Sequence, residues 1–554
     1  MKKTTFISGL FLSLTLLLGA SFGLAGTGAV ATQDIHATAA AEQVLLDGGN
    51  AMDAAITAAF VLAVTAPEAG NIGGGGFIVS FMEGEPAFLD FRERAPGKAH
   101  RDMYLDEGGE VVAGASFIGG KASGVPGTVR GMVAAHERYG SLPWKRLLMP
   151  AITVARNGFI VSQTLADYGS EQVRVVAGTT NFATYFGHLQ AGENFKQPEL
   201  AATLERIAAD PQEFYTGSTA QMIVAQMAKS AGLITLEDLA AYKALWRAPL
   251  LEQWRDFTII TAPPPSSGGF ALIQLLYMHD LAREQFKSAW HNSSQYVHLL
   301  AEIEKRVFAD RAEYLGDPDY VQVPLSKLLD KDYLKRRAGE INPEAISPAP
   351  EVLPGIESTD TTHISVLDEQ GNAVSLTYTL NWEFGSGVVV AGAGFVLNNE
   401  MDDFSAKPGV PNVYGVIGNA NNAIEPGKRM LSSMTPTILL KNNKPALVIG
   451  TGGGSTIFTT VFQVILDIYD FDMSLQAAVD ATRFHHQLPD AFLLRHDDRE
   501  IPADTRRELT EMGYTVEINS WGNIGRVNAI RIDGDTVEAA ADIRGEGDAR
   551  LVER

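Results

Sequence analysis

From residue 361 onward, apolar and polar positions alternate along the chain. Segments 361–367 and 373–380 repeat with period two, as half-buried strands do, and Asp368-Glu369-Gln370-Gly371-Asn372 between them is turn chemistry. A three-residue loop at 369–371 with Gly371 left-handed sets a hairpin register in which Thr361 lies opposite Thr379. Upstream the period changes. Residues 120–345 read as mainly helical, with regular apolar spacing over 128–136, 200–209 and 294–312. Residues 51–66 are apolar nearly throughout; Asp53 interrupts the run and Pro67 ends it, so a buried core helix capped by Asn50 is expected. Gly70-Asn71-Ile72-Gly73-Gly74-Gly75-Gly76 leads into an apolar strand at 77–81. No Gly-Lys-Ser/Thr ending or helix follows, which favours close backbone packing near a site over a phosphate cradle. Pro263-Pro264-Pro265-Ser266-Ser267-Gly268-Gly269 reads as a stiff turn before a helix at 270–284. A strand at 446–449, a turn at 450–454 and a helix at 455–469 follow later.

Composition narrows this picture. A chain of 554 residues, 45% hydrophobic, is globular with a substantial core: several ordinary domains or one large unit of intertwined halves. The net charge of −22 argues against nucleic acid or an anionic membrane as partner, and an anionic substrate then needs a locally basic pocket. Residues 1–25 read as a cleaved export signal: Lys2 and Lys3, an apolar stretch over 6–18, and small residues Ala20 and Ala25. That stretch is shorter than the roughly 20 residues a membrane span needs, so no stable anchor is expected. Export matches the absence of cysteine, which excludes disulfides and thiol chemistry.

Candidate chemistry gathers in the last third. Thr361 follows a loose Pro-rich segment and opens a strand. A threonine hydroxyl needs an adjacent base, and its own α-amine supplies one if the Asp360–Thr361 bond is cut. Glu400, Asp402 and Asp403 cluster after an apolar run; a calcium loop, solvated charge and an ammonium site all fit locally. The Gly/Asn/Pro-rich loop over 407–429, which carries Tyr414, fits a lid or disorder, and Ser432-Ser433 closes it. Backbone N–H groups at Gly453 and Gly454, before a helix, suit an oxyanion or a phosphate; one lost oxyanion donor costs about 3 kcal/mol. His485-His486 read as structural histidines, and no nucleophile-elbow motif supports a Ser-His-Asp triad.

Taken together, these residues resemble the γ-glutamyltransferase family (γ-glutamyl transpeptidase and glutathione hydrolase) of N-terminal-nucleophile hydrolases. The resemblance includes Asp47-Gly48-Gly49-Asn50-Ala51-Met52-Asp53, Asn71 through Phe77, Asp90-Phe91-Arg92-Glu93, the Pro263 turn, Glu313 through Pro318 and every cluster after residue 360. It implies an α+β fold, a four-layer αββα sandwich made as a precursor that cuts itself. The leader would be 1–25, the large subunit 26–360 and the small subunit 361–554. The resemblance makes Thr361 the nucleophile, Thr379 the hydroxyl that tunes it, and Gly453 and Gly454 the oxyanion hole. Arg92, Ser432 and Ser433 would take the donor's α-carboxylate, and Asn381, Glu400 and Asp403 its α-ammonium. Tyr414 matches the lid tyrosine.

The implied activity is ping-pong transfer of a γ-glutamyl group from glutathione or related amides to water or an amino-acid or peptide amine. It would take place in the periplasm or outside the cell, without metal or organic cofactor. Three departures stand out: Glu400 where some bacterial members carry Gln, Thr456 where many carry arginine, and Trp382-Glu383 on the acceptor side. The rivals are a cephalosporin or glutaryl acylase on the same scaffold and an inert γ-glutamyl-binding protein.

Overall fold

A computed structural model describes residues 26–348, 360–407, 419–519 and 523–553, with Asp360 given by its backbone alone. The leader and Tyr414 therefore lie outside the described residues.

Two antiparallel sheets form the centre. The seven-stranded sheet runs in the order Asp548–Val552, Gly28–Thr32, Asp360–Leu367, Ala373–Asn381, Gly75–Met82, Glu85–Asp90 and Leu245–Arg247. The six-stranded sheet runs Thr536–Ala541, Arg526–Asp533, Lys444–Gly452, Thr437–Lys441, Phe257–Thr261 and Leu250–Trp254. Between them Phe77, Val79, Phe81 and Phe88 pack against Ile260, Ile438, Leu440, Val448 and Ile530. The opposite face of the first sheet, with Ile78, Leu89, Ile364, Val366 and Leu376, is covered by helix Ala51–Thr65 and its neighbours. Helices Gly268–Ala282, Ser294–Tyr314 and Thr456–Tyr469 cover the second sheet. This is the four-layer αββα sandwich, each layer hiding the apolar face of the next.

The expected local structure holds in most places. Helix Ala51–Thr65 is buried throughout, and Asn50 caps it while the Asp53 carboxylate accepts the Asn50 N–H in return. The hairpin has the expected register, with Thr361 opposite Thr379 and Gly371 at φ 82°. A bulge then sets Asp360 opposite Asn381 rather than Leu380. Two expectations need correction. The region 120–345 also contains strands Leu245–Arg247, Leu250–Trp254 and Phe257–Thr261. The turn expected at 450–454 is shorter, because the strand continues to Gly452.

That longer strand brings the sheets together at one end. In Asp360–Leu367 the even positions face the helices, and the odd positions Thr361, His363 and Ser365 face the second sheet. The strand Lys444–Gly452 comes so close there that a Cβ on Gly450 would lie 2.3 Å from the His363 ring. One on Gly452 would lie 1.8 Å from the Thr361 carbonyl oxygen. Ser375 and Ser365 bridge the gap with hydrogen bonds to the carbonyls of Ile449 and Asn528, both 3.0 Å.

Candidate active site

The close approach of the sheets places Thr361 beside the turn that starts helix Thr456–Tyr469. Thr361 is buried, and its hydroxyl donates to Thr379 Oγ1 at 3.4 Å. Thr379 Oγ1 also accepts the Asn381 N–H at 2.8 Å, so the bulge locks the second hydroxyl in place. Asn381 sits at φ 82°, a left-handed conformation that costs a non-glycine residue energy and here follows from the bulge. Gly453 and Gly454 have φ of 134° and 56°, and helix residues Thr456 and Ile457 donate their N–H groups to the two glycine carbonyls. Thr456, the departure noted above, also donates its hydroxyl to Gly453 O at 2.6 Å and so braces the turn.

The opposite wall carries charge. Arg92 follows the end of strand Glu85–Asp90, where its N–H is held by Asp90 Oδ1 at 3.0 Å. Its guanidinium donates to Glu400 Oε1, to Asp403 Oδ2 at 2.5 Å and to the Leu431 carbonyl at 3.1 Å. Asn398 accepts the Glu400 N–H and anchors itself to the carbonyls of Gly73 and Gly124. A Cβ on Gly73 would lie 2.0 Å from the Val396 carbonyl oxygen and one on Gly74 1.9 Å from that of Thr379, which explains the glycine-rich approach to strand Gly75–Met82. Ser432 and Ser433 are held by the Pro263 turn: Ser432 donates its N–H to Pro265 O at 3.0 Å and accepts from Ser267 on its own carbonyl at 2.7 Å. Arg92, Thr361, Thr379, Asn381, Glu400, Asp403, Ser432, Ser433 and Gly454 thus line one cleft; Gly453, next to Gly454 in the chain, is not part of that lining.

Burial sets the electrostatics. Glu400 and Asp403 are pushed up by desolvation against the pull of Arg92, and the neighbouring carboxyls Glu93 and Asp403 push Glu400 further. Glu93, 3.6 Å from Arg92, is pushed up to about 8 by burial. One guanidinium cannot hold three buried carboxyls ionised, and an incoming cation would favour their charged form. The calcium reading loses its ligands here. Asp402 accepts from Ser116 Oγ at 2.5 Å, Glu400 and Asp403 hold Arg92, and among the described residues no group of acidic or histidine side chains is placed to hold a metal ion.

Sequence reasoning read His485 as structural. It lies under the Gly453-Gly454 turn: Ser455 and His485 Nε2 both meet Gln487 Oε1, at 2.7 and 2.9 Å, and His485 Nδ1 meets Thr459 at 3.0 Å.

The family model for gamma-glutamyltranspeptidase matches residues 37–552. The chain belongs to the gamma-glutamyltranspeptidase family. It is an enzyme, and it is 55% identical to the glutathione hydrolase proenzyme of Pseudomonas aeruginosa over 97% of each chain. Among solved structures it resembles the gamma-glutamyltranspeptidase from Pseudomonas nitroreducens complexed with L-DON, at 52% identity and TM-score 0.57 over 58% of this chain and 96% of that one. It also resembles the cephalosporin acylase from Bacillus halodurans, at 28% identity and TM-score 0.83 over 95% and 96%.

Proposed function

We propose that this enzyme is an exported γ-glutamyltransferase and glutathione hydrolase that works through a γ-glutamyl ester on Thr361. The precursor first cuts itself: the Thr361 hydroxyl attacks the Asp360 carbonyl carbon, the peptide nitrogen takes a proton and leaves as the Thr361 α-amine, and water hydrolyses the resulting ester, giving a large fragment ending at Asp360 and a small one beginning at Thr361. The freed α-amine then takes the Thr361 hydroxyl proton as the oxygen attacks the γ-amide carbonyl. Thr379 orients that oxygen, and the Gly453 and Gly454 N–H groups stabilise the oxyanion. The leaving amine departs with a proton, and water or an acceptor amine releases the γ-glutamyl group. Nothing in these steps calls for a metal or organic cofactor.

The observation that carries this reading is the pairing of Arg92 with Glu400 and Asp403 inside the cleft lined by Thr361. An α-amino acid head group is a zwitterion. Its carboxylate suits the Arg92 fork and the two serines, while its ammonium suits Glu400, Asp403 and Asn381. A glutaryl group has no ammonium, so an acylase would leave two buried carboxylates facing an uncharged carbon. That disfavours the acylase reading despite the shared fold. An inert binder would not need a hydroxyl pair beside the glycine turn.

N-terminal sequencing of the shorter fragment should start at Thr361, and mature protein should release p-nitroaniline from γ-glutamyl-p-nitroanilide in preference to the glutaryl analogue. Thr361→Ala should stay one inactive chain. Preference for glutaryl would assign an acylase, and normal cleavage of Thr361→Ala would remove the nucleophile.

A further inference from the structure

Arg311 lies in the last turn of helix Ser294–Tyr314, buried, on the far side of the two serines from the cleft. Its Nε donates to Ser267 Oγ at 2.9 Å, and its Nη2 reaches Ser433 Oγ at 3.5 Å. A guanidinium can only donate. Both hydroxyl oxygens are therefore acceptors toward Arg311, and each proton must point elsewhere. The Ser267 proton goes to the Ser432 carbonyl at 2.7 Å, where the Ser267 N–H also binds. Ser433 lines the cleft with Arg92 and Thr361, so its proton is directed there. Ser432 has the same polarity by another route, because its Oγ accepts the Met434 N–H at 3.1 Å.

We infer that Arg311 is a positioning residue for the donor's α-carboxylate: it holds the Ser432-Ser433 segment through Ser267 and fixes Ser433 as a hydrogen-bond donor into the cleft. This rests on the γ-glutamyl reading above. Arg92 would touch the carboxylate directly, whereas Arg311 acts through the hydroxyl between them. Burial lowers the Arg311 guanidinium to about 10, which leaves it charged at neutral pH, and the Asp403 carboxylate nearby works to keep it so. A polarised hydroxyl backed by a cation gives a carboxylate a stronger partner than a free serine would.

Three p-nitroanilides separate the roles: γ-glutamyl, 4-aminobutanoyl (no α-carboxylate) and glutaryl (no ammonium). Each is assayed on mature Arg311→Met, Arg311→Lys, Ser433→Ala and Arg311→Met/Ser433→Ala enzyme, with rates normalised to the cleaved small fragment. Arg311→Met should raise KM for the γ-glutamyl and glutaryl donors about tenfold, with little change in kcat and none for the 4-aminobutanoyl donor. Arg311→Lys keeps the charge without the fork and should show a smaller loss on the same two donors. The double variant should be no worse than the poorer single one, since both changes act on the carboxylate through the same Ser433 hydroxyl. Equal losses on all three donors, multiplicative losses in the double variant, or failure of both Arg311 variants to mature would make Arg311 a structural brace and overturn the inference. Wild-type enzyme that prefers the glutaryl donor would instead overturn the γ-glutamyl reading, and this inference with it.

Discussion

At the scale of single residues, the site pairs its own charges with one another. Arg92 is occupied by Glu400 and Asp403 before any donor arrives, so binding is an exchange of partners rather than the filling of a bare pocket. This makes donor affinity depend on pH in a definite direction. Burial raises Glu400 and Asp403, Glu93 and Asp403 push Glu400 further, and an ammonium binds them only when they are ionised. Donor KM should therefore fall as pH rises through a range above that of ordinary carboxyl groups. Glu400→Gln removes the more strongly raised of the two carboxyls and leaves Arg92 to Asp403, so this limb should move to lower pH while KM at neutral pH rises. A KM–pH profile of both enzymes checks it; an unmoved limb would show that neither carboxyl governs binding. The identity of these residues was legible in the chain through their motifs. Their partnership was not, because Arg92 and Glu400 lie 308 positions apart. Arg311 and Gln487 carried no local signal at all: a charged residue late in a helix and a glutamine beside two histidines look like many others.

At the scale of elements, the hairpin was readable because loop length and a left-handed glycine determine strand register. The edge strands Leu245–Arg247 and Leu250–Trp254 were not, since each ends its sheet and is half solvated, which blurs the alternation. The glycines at 450 and 452 looked like a loop and are in fact a strand shaved on one face to let two sheets touch. Gly452→Ala tests that geometry. Its methyl would lie 1.8 Å from the Thr361 carbonyl oxygen, and Thr361 sits on an interior strand that cannot retreat. The variant should express as folded protein, remain uncut or nearly so, and lose at least about tenfold in activity, the cost of a misplaced reacting group. Gly339→Ala, where a Cβ would meet nothing within 4 Å, is the matched control and should behave as wild type. Normal cleavage of Gly452→Ala on a denaturing gel would mean that the sheets have slack at this end.

At the scale of the whole molecule, the proposed cut does not divide the chain into separable bodies. In the first sheet, strands from before residue 360 meet strands from after it at three seams: Asp548–Val552 with Gly28–Thr32, Gly28–Thr32 with Asp360–Leu367, and Ala373–Asn381 with Gly75–Met82. The second sheet has one such seam, Thr437–Lys441 with Phe257–Thr261. The apolar layer between the sheets draws on both halves as well, with Phe77, Phe88 and Ile260 from one and Ile438, Val448 and Ile530 from the other. Pulling the halves apart would expose four rows of unpaired backbone groups and open that layer to water. Cleaved enzyme should therefore run as one particle on size exclusion without denaturant, give two bands on a denaturing gel, and unfold in one calorimetric transition in which both fragments melt together. Two resolved transitions, or fragments that separate at micromolar dilution, would mean that the shared sheets do not couple the halves. The covalent break is tolerable for the same reason: it falls at the end of a strand held there by Ala373–Asn381 and, from Ile364 on, by Gly28–Thr32 as well, so the fold gives up one peptide bond and keeps its hydrogen-bonded neighbours.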